Sequence, residues 1–151
     1  MTRSEVRSAT SRDWEAIAQL LSRRSLPLEG GERHLSGFVV AMSGEQLVGV
    51  AGVERYGDIG LLRSVAVNGD QAGTGVGTAL VEEVLRRARS EGLTALYLLT
   101  TTASSWFPRF GFQEVDRSAL PGVLSDSAEL QGACPATATT MRLVLPPSRP
   151  S

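Results

Sequence analysis

The sequence predicts a single-domain α/β (α+β) fold, with a mixed central sheet of about six to seven strands flanked by about four helices. Three observations predict it. Three apolar segments joined by short turns follow one another between residues 38 and 67, as expected of antiparallel strands. A glycine-rich loop then opens directly into an amphipathic helix. A nearly unbroken apolar run, Leu93 to Thr100, comes next and is typical of a strand covered on both faces.

The first elements are a short strand and a helix. Glu5 to Ala9 reads as the strand, and Thr10 with Asp13 three residues later is typical of a helix N-terminus. Pro27 and the pair Gly30-Gly31 lie beyond the end of that helix. The residues predicted to form its buried stripe are Trp14, Ile17, Leu20 and Leu21.

An antiparallel meander follows. Phe38 to Met42 and Leu47 to Val53 are predicted to form a hairpin with its turn at Ser43-Gly44. A second turn near Gly57-Asp58 leads to a third strand from Ile59 to Val67.

The second half of the chain begins with the amphipathic helix. Gly92 stands where a C-terminal glycine is expected. A short helix through Trp106, a strand from Phe112 and a last strand around Thr139 to Leu145 complete the domain, predicted over residues 1–146 with a flexible tail at 147–151. The buried stripe of the amphipathic helix is predicted to be Val76, Leu80, Val81, Val84, Leu85 and Ala88.

Composition excludes several functional classes. The chain has 151 residues, with 15 basic and 16 acidic side chains and a formal net charge of −1, so no basic face for nucleic acid is expected. Arg86, Arg87 and Arg89 read as a solvated helix face. One cysteine and one histidine cannot build a structural zinc site. With no signal peptide or membrane segment apparent, we expect a cytoplasmic protein without a metal or a membrane partner.

The loop between the third strand and the amphipathic helix carries the strongest chemical signal. Gly73, Gly75 and Gly77 let the backbone approach a ligand closely, and the free N–H groups of the first helical turn favour an anion such as a pyrophosphate. The P-loop pattern is not met, because no Lys-Ser/Thr pair follows the glycines. The alternative is a glycine-rich turn that binds nothing.

In this context the sequence resembles the GNAT acetyltransferase superfamily over nearly the whole chain. The segment from Ala72 to Gly77 has the spacing of that family's Arg/Gln-x-x-Gly-x-Gly/Ala pattern, although Ala72 replaces the first residue. The resemblance implies acetyl-CoA as co-substrate, held mainly by backbone groups. The implied contacts are Val65, Ala66 and Val67 for the pantetheine arm, Ala72, Gly73, Thr74, Gly75, Val76, Gly77 and Thr78 for the pyrophosphate, and Phe107.

Two further segments resemble particular groups within the superfamily. Leu98 to Phe112, with Leu-Thr-Thr, Trp-Phe and Gly-Phe, is similar to the catalytic domain of N-acetylglutamate synthases. Gly60 to Val67, together with Cys134-Pro135 and Met141, is similar to arsenic-resistance N-acetyltransferases. The resemblance implies an acidic amino acid, or a toxic arsenic-containing analogue of one, as the acceptor.

The chemistry implied is direct attack of an amine on the thioester. The backbone N–H of Val65 is the candidate donor to the oxyanion. Glu54 is the candidate general base, and the alternative is an exposed strand-end carboxylate; Asp58 is a second candidate. Many relatives have a tyrosine acid where this chain has Phe107, so Tyr97 or water would have to replace it.

Arg63 is the candidate clamp for a substrate carboxylate, because it interrupts an apolar strand. The alternative is a salt bridge with Glu54 or Glu45. Ser64, Thr100 and Thr101 are candidates for substrate contact, or else for packing and capping. His34 is expected to be exposed or to pack, and Cys134 to be a small buried hydrophobe.

The predicted function is therefore N-acetyl transfer to a small, acidic amino acid or a toxic analogue, with arsenical detoxification as one form of it. The alternatives are an N-acetylglutamate synthase of arginine biosynthesis and a catalytically degenerate domain that senses acyl-CoA. A homodimer is common in the superfamily, and the last strand is a plausible contact.

Overall fold

The computed structural model describes residues 5–71, 73–130 and 137–146. Within them lie seven strands and two α-helices. The elements are β1 (Glu5–Ser8), α1 (Trp14–Arg23), β2 (Phe38–Ser43), β3 (Gln46–Tyr56), β4 (Ile59–Val67), α2 (Val76–Ser90), β5 (Ala95–Thr100), β6 (Gln113–Val115) and β7 (Thr139–Val144). The predicted mixed sheet is confirmed, and its strand boundaries agree with the sequence pattern to within a few residues.

The strands form one sheet in the order β1-β2-β3-β4-β5-β7-β6. All neighbours are antiparallel except β4 and β5, the pair that α2 connects. A crossover helix is the ordinary way to join parallel neighbours. The last strand in sequence, β7, lies between β5 and β6, so both of its edges are paired. It is therefore not the open edge that would favour strand-to-strand contact in a dimer.

The helix α1 covers one face of the sheet. Its start is fixed by Asp13, which accepts a hydrogen bond from the Thr10 N–H at 2.7 Å and two from the Arg7 guanidinium at 2.8 and 2.9 Å. The hydrogen bonds from Arg7 lower the pKa of Asp13 to about 2. The predicted stripe is buried, with the half-buried Trp14 at its edge. Its partners on the sheet are Phe38, Val40, Val50 and Ala66.

The helix α2 covers the opposite face, and all six residues predicted for its stripe are buried. Gly75 precedes it with φ of +89°, and Gly92 follows it with φ of +80°, so both ends use backbone conformations that glycine adopts without strain. Its stripe packs on apolar side chains of β2 to β5 and β7. A separate cluster of Leu61, Ala95, Tyr97 and Leu124 lies on the face that α1 covers in part.

The expectation of about four helices is corrected to two α-helices in the described residues. The remaining helical segments are short 3₁₀ turns, including Glu32–Gly37 before β2 and Phe107–Phe110 after β5. The predicted short helix through Trp106 is the second of these, with Trp106 as its cap. Turns of this kind are common in connections that are too short for a full α-helix.

The centre of the sheet is packed closely around a glycine. Gly52 pairs with Phe38 on β2, and a Cβ added at Gly52 would overlap the Phe38 ring. The aromatic ring can lie flat over β3 only because this position has no side chain.

We predict that Gly52→Ala lowers the free energy of unfolding by about 1–3 kcal/mol, because the methyl group forces the buried Phe38 ring out of place. Urea unfolding followed by circular dichroism measures it. Gly122→Ala is the control, since a Cβ there meets nothing within 4 Å. Equal stabilities for the two variants would contradict the close packing described.

Candidate active site

The sheet opens between its two parallel strands. Pairing of β4 with β5 runs from Ile59↔Ala95 to Leu62↔Leu98, while β4 continues to Val67. Beyond Leu62, β4 therefore presents backbone N–H and C=O groups toward a gap and not toward a neighbouring strand. Such an open backbone edge can bind an extended ligand that carries amide groups.

A β-bulge lies in β4 where the gap begins. Val50 pairs with Ala66 and Gly52 pairs with Arg63, so Ser64 and Val65 together oppose one residue of β3. Ser64 has φ of +59°, which is rare for a residue other than glycine, asparagine or aspartate. A bulge bends the strand and redirects its backbone groups. The half-buried Val65, the predicted oxyanion donor, stands at this bend.

The open part of β4 leads to the N-terminus of α2. Gly73 and Gly75 have positive φ, and a Cβ on either would meet nothing within 4 Å, so space lies beside the loop. The first helical hydrogen bond recorded across this turn runs from the Ala79 N–H to the Gly75 carbonyl at 3.0 Å. The preceding N–H groups of Val76, Gly77 and Thr78 have no acceptor within the helix, as at any helix start. This end of α2 suits an anion.

An aromatic side chain stands beside this loop, and it is Trp106. A Cβ on Gly77 would lie 3.4 Å from the Trp106 ring and 3.4 Å from Val67. Arg109 lies over the Trp106 ring at 5.2 Å from its centroid. Phe107, which the sequence placed at the co-substrate, is instead buried and makes edge contacts with Trp106 and Phe112. Sequence reasoning therefore missed Trp106 beside the loop, and a contact between Phe107 and the co-substrate stays a prediction.

A buried ion pair lies on the α1 face of the sheet, beside the bulge. Arg63 and Glu54 both have side chains with 0% exposure, and Arg63 Nη1 is 2.6 Å from Glu54 Oε2. The guanidinium also donates to the Glu29 carbonyl at 2.7 Å and the Pro27 carbonyl at 3.2 Å. Its Nε donates to Ser64 Oγ at 3.0 Å and lies 3.4 Å from Glu129 Oε2.

Three further polar side chains surround Glu54. The Tyr56 hydroxyl donates to Glu54 Oε1 at 2.5 Å, and His34 Nε2 lies 3.7 Å from the same oxygen. Burial alone would raise the pKa of Glu54, but hydrogen bonds from Tyr56, Arg63 and Ser127 outweigh it and hold that pKa below its usual value. Burial and the same carboxylate raise the pKa of Tyr56 to about 12. Burial lowers the pKa of His34, so the imidazole is neutral at pH 7.

These contacts show the surroundings of Glu54 and Arg63. Of the two salt bridges considered for Arg63, the one with Glu54 is present. Glu54 is not the exposed strand-end carboxylate that was its alternative reading. A general base must reach the proton that it removes, whereas both oxygens of Glu54 already accept hydrogen bonds below the surface. The geometry supports an anchoring role for this carboxylate, and its role as a base stays a prediction.

The other candidates have simpler surroundings. Thr100 Oγ1 accepts a hydrogen bond from the Ala103 N–H at 3.0 Å, which is the capping role, and Thr101 is exposed. Asp58 is exposed in the turn between β3 and β4. Tyr97 packs with Leu61 on the face opposite Phe107, so it does not replace a tyrosine there.

The remaining expectations concern residues outside the described part of the chain, a metal site or a membrane-spanning helix. Ala72, Cys134 and the tail at 147–151 belong to the segments that the structure does not describe. Among the residues that it does describe, no group of three or more His, Cys, Asp and Glu could hold a metal ion. Nor does any helix there have the length and apolar character that crossing a membrane requires.

Sequence reasoning missed Tyr56, Ser127 and Glu129 as members of the buried cluster. A signal existed for Tyr56. Glu54 and Tyr56 are two residues apart on β3, so their side chains lie on one face of the sheet. Arg63 lies on the same face of the neighbouring antiparallel strand β4. Ser127 and Glu129 come from the long connection between β6 and β7, where no periodicity indicates which side chain turns inward.

Comparisons with known proteins agree with this geometry. Residues 3–112 match the model of the acetyltransferase (GNAT) family. The chain is 31% identical over 128 residues to an amino-acid acetyltransferase of Enterobacter sp. strain 638, covering 78% of this chain, and 30% identical over 128 residues to that of Escherichia coli K12. The chain spans only 28% of the length of each of these two relatives.

Solved structures give the same result. The N-acetylglutamate synthase of Neisseria gonorrhoeae, complexed with coenzyme A and N-acetyl-glutamate, superposes with a TM-score of 0.81 at 25% identity, covering 96% of this chain and 36% of that one. Rv2747 of Mycobacterium tuberculosis, in complex with CoA and NLQ, superposes with a TM-score of 0.75 at 28% identity, covering 93% of this chain and 99% of that one.

We predict that Glu54→Gln lowers the free energy of unfolding by about 3–5 kcal/mol at pH 7, because it leaves the buried Arg63 charge under-compensated. Chemical denaturation measures it. The matched control is Glu83→Gln, which removes a carboxylate that pairs with Arg86 and Arg87 at the surface and should cost less than about 1 kcal/mol. Similar losses for the two variants would contradict the assigned role of the buried pair.

The loss should also depend on pH in one direction. Because folding lowers the pKa of Glu54, its ionised form stabilises the native state above the ordinary value of 4.5, and this contribution disappears as the pH falls through the lowered pKa. The stability difference between the wild type and Glu54→Gln should therefore shrink as the pH falls below the ordinary pKa of 4.5 and through the lowered pKa. A difference that grew on acidification would contradict the assignment.

Proposed function

The chain belongs to the GNAT family of acetyltransferases, and from this premise we propose that it transfers the acetyl group of acetyl-CoA to the amino group of a small, acidic amino acid. The observation that carries the proposal is the continuity of two features on one strand. The open backbone edge of β4, from Arg63 to Val67, leads into a glycine loop with open space beside Gly73 and Gly75.

These two features fit the two halves of the donor. The amide groups of a pantetheine arm can pair with the backbone of Val65 and Val67 as a further strand would. A pyrophosphate can accept hydrogen bonds from the N–H groups at the start of α2, from Gly75 to Thr78, where the helix dipole also favours negative charge. Trp106 forms a wall between them, because it contacts the position of Gly77 next to Val67.

The reaction needs little from side chains. The neutral amine attacks the thioester carbonyl carbon, the C–N bond forms, the C–S bond breaks, and the thiolate leaves with its electron pair. The N–H of Val65 donates to the developing oxyanion, and alignment of the two reactants supplies much of the rate. An α-amine has a pKa of roughly 8, so a part of it is neutral at pH 7 and water can accept the remaining proton.

The leaving thiolate has no tyrosine acid in this arrangement. Phe107 stands in the core, and Tyr97 lies on the other face of the sheet. A thiol has a pKa of roughly 8.5, so the thiolate is an acceptable leaving group and takes a proton from solvent. We therefore propose a mechanism that uses position and backbone polarity without a side-chain acid.

The acceptor is proposed from the relatives and from the bulge. The relatives named above are amino-acid acetyltransferases, and one solved neighbour holds N-acetyl-glutamate. Arg63 adjoins the bulge, and its longest polar contact is the 3.4 Å one to Glu129. An acidic substrate would take the place of Glu129 there, so that a guanidinium remains paired with two carboxylates. Ser64 adjoins this position, because its Oγ accepts a hydrogen bond from Arg63 Nε at 3.0 Å. Substrate contacts of Thr100 and Thr101 remain part of the proposal.

Two finer readings share this site. The likeness of Gly60 to Val67 to arsenic-resistance enzymes supports an arsenic-containing glutamate analogue as the acceptor, and acetylation of its amine would detoxify it. The names of the relatives support glutamate itself, for arginine biosynthesis. Both readings place the protein in the cytoplasm and allow a homodimer, for which β1 and β6 provide the open sheet edges.

One observation favours a function of another class. Phenylalanine at position 107 leaves the site without the usual tyrosine acid, and a domain that binds acyl-CoA without turnover would act as a sensor. Turnover separates the two functions.

We predict CoA release from acetyl-CoA with an acidic amino acid, when glutamate, phosphinothricin, arsinothricin, neutral amino acids and short peptides are compared in a thiol assay. The acidic acceptors should have the highest kcat/KM, because a buried guanidinium favours a carboxylate. Binding of acetyl-CoA by calorimetry without turnover of any amine would overturn the enzyme function and support the sensor.

We predict that Gly75→Ala weakens acetyl-CoA binding by roughly tenfold, because φ of +89° costs an alanine about 1–2 kcal/mol and its relaxation re-aims the N–H groups of the loop. Isothermal titration measures the Kd. Gly92→Ala, with φ of +80° at the other end of α2, is the control for strain and should leave the Kd unchanged. Equal Kd values for both variants would show that the loop does not bind the donor.

A further inference from the structure

A cavity of about 610 Å³ lies at the other end of α2 from the glycine loop. Its α2 residues begin at Val84, nine positions after Gly75, which corresponds to about 13 Å along the helix axis. It is therefore a different site from the proposed donor site. The residues that line it are Arg33, His34, Ser36, Gly37, Val53, Arg55, Val84, Arg86, Arg87, Ala88, Ser90, Glu91 and Leu93.

The walls of the cavity are strongly cationic. Four guanidinium groups line it, against one carboxylate, that of Glu91. Arg55 pairs with Glu91 at 3.2 Å, and Arg86 and Arg87 share Glu83 at 2.7 and 2.8 Å. Two carboxylates thus pair with three of the four guanidiniums, which leaves an excess of positive charge although the whole chain has a net charge of −1.

The arginines converge from three separate segments. Arg33 belongs to the 3₁₀ turn before β2, Arg55 to the end of β3, and Arg86 and Arg87 to the last turns of α2. Cations near the C-terminus of a helix compensate its dipole, and this accounts for the α2 pair. It also accounts in part for Arg55, which donates to the carbonyl of Glu91 at the C-cap of α2 at 3.1 Å. It does not account for Arg33, which lies in the turn before β2.

The floor of the cavity is apolar. Val53 on β3, Val84 and Ala88 on α2, and Leu93 before β5 contribute hydrocarbon surface beneath the arginine rim. A cavity of a few hundred cubic ångströms with an apolar floor and a few convergent charged groups is the usual form of a small-molecule site. Guanidinium groups recognise the oxygen pairs of carboxylate and phosphate.

We propose that this cavity binds a small organic anion, with its carboxylate or phosphate group on Arg33 and Arg55 and its apolar body on Val53, Val84 and Leu93. His34 lines the cavity and also lies 3.7 Å from Glu54, so a bound anion would adjoin the buried cluster that holds Arg63. The binding itself does not depend on the acetyl-transfer function.

The test uses phenyl phosphate, phenylacetate, inorganic phosphate and benzyl alcohol as probes, followed by amide NMR shifts of the ¹⁵N-labelled chain. Phenyl phosphate or phenylacetate should give saturable shifts at residues 33–37, 53–55 and 84–93. Inorganic phosphate should bind at least fivefold more weakly than phenyl phosphate, and benzyl alcohol should not saturate. Whichever of the two organic anions binds more tightly identifies the anionic group.

The double variant Arg33→Ala, Arg55→Ala should weaken that binding at least fivefold. Both side chains lie on exposed residues, and a far-UV circular dichroism spectrum equal to that of the wild type will confirm that the variant folds. Arg12→Ala removes an exposed arginine elsewhere and should leave the binding unchanged. The absence of saturable shifts at these residues, or an affinity equal in the double variant and the wild type, would overturn the proposal.

Discussion

The ion pair between Arg63 and Glu54 is the interaction on which the arrangement of the α1 face of the sheet depends. Two opposite charges are removed from water, and such a pair is tolerated only when each partner is fully hydrogen-bonded. The guanidinium meets this condition with the carbonyls of Pro27 and Glu29, and the carboxylate with Tyr56 and Ser127. The segments around Pro27 and Glu29, before β2, and around Ser127, before β7, are thereby held against the sheet. In the described residues, no buried side-chain nitrogen or oxygen atom is left without a partner.

The side chains on the two faces of β4 therefore have different roles. On the α1 face, Arg63 fastens the connections; on the α2 face, Leu62 and Val65 pack against the apolar core. The bulge at Ser64 lies between them and turns the remaining strand away from β5. A residue with strained backbone persists where its surroundings hold it, and Ser64 is held by the hydrogen bond from Arg63. The buried pair and the gap proposed for the donor are thus parts of one local structure.

The regular elements could be predicted because their signals are periodic and local. Nearby residues alone indicate where such elements begin and end, as for the stripe of α2, the turn at Gly57-Asp58 and the apolar run after Gly92. The glycine loop was equally readable, because positive φ at Gly73 and Gly75 requires that residue type. The buried cluster was not readable in full, since Ser127 and Glu129 reach Glu54 and Arg63 through tertiary contacts over some 70 positions of sequence. The position of Trp106 beside the loop was not readable for a similar reason: in a 3₁₀ turn, adjacent residues face different surroundings, and sequence spacing does not show which one faces the loop.

The position of β7 has a consequence for how the protein acquires its structure. β6 touches the sheet only through β7, and β7 occupies the place next to β5 although more than 20 residues separate it from β6. During synthesis, the edge of the apolar strand β5 that pairs with β7 therefore stays unpaired until β7 has left the ribosome. Contacts distant in sequence form slowly, and an unpaired apolar edge invites other chains. The nascent chain is thus most prone to aggregation in this interval. A shorter connection between β6 and β7 would shorten the interval, and this change would raise the yield of folded protein more than additional packing in the core.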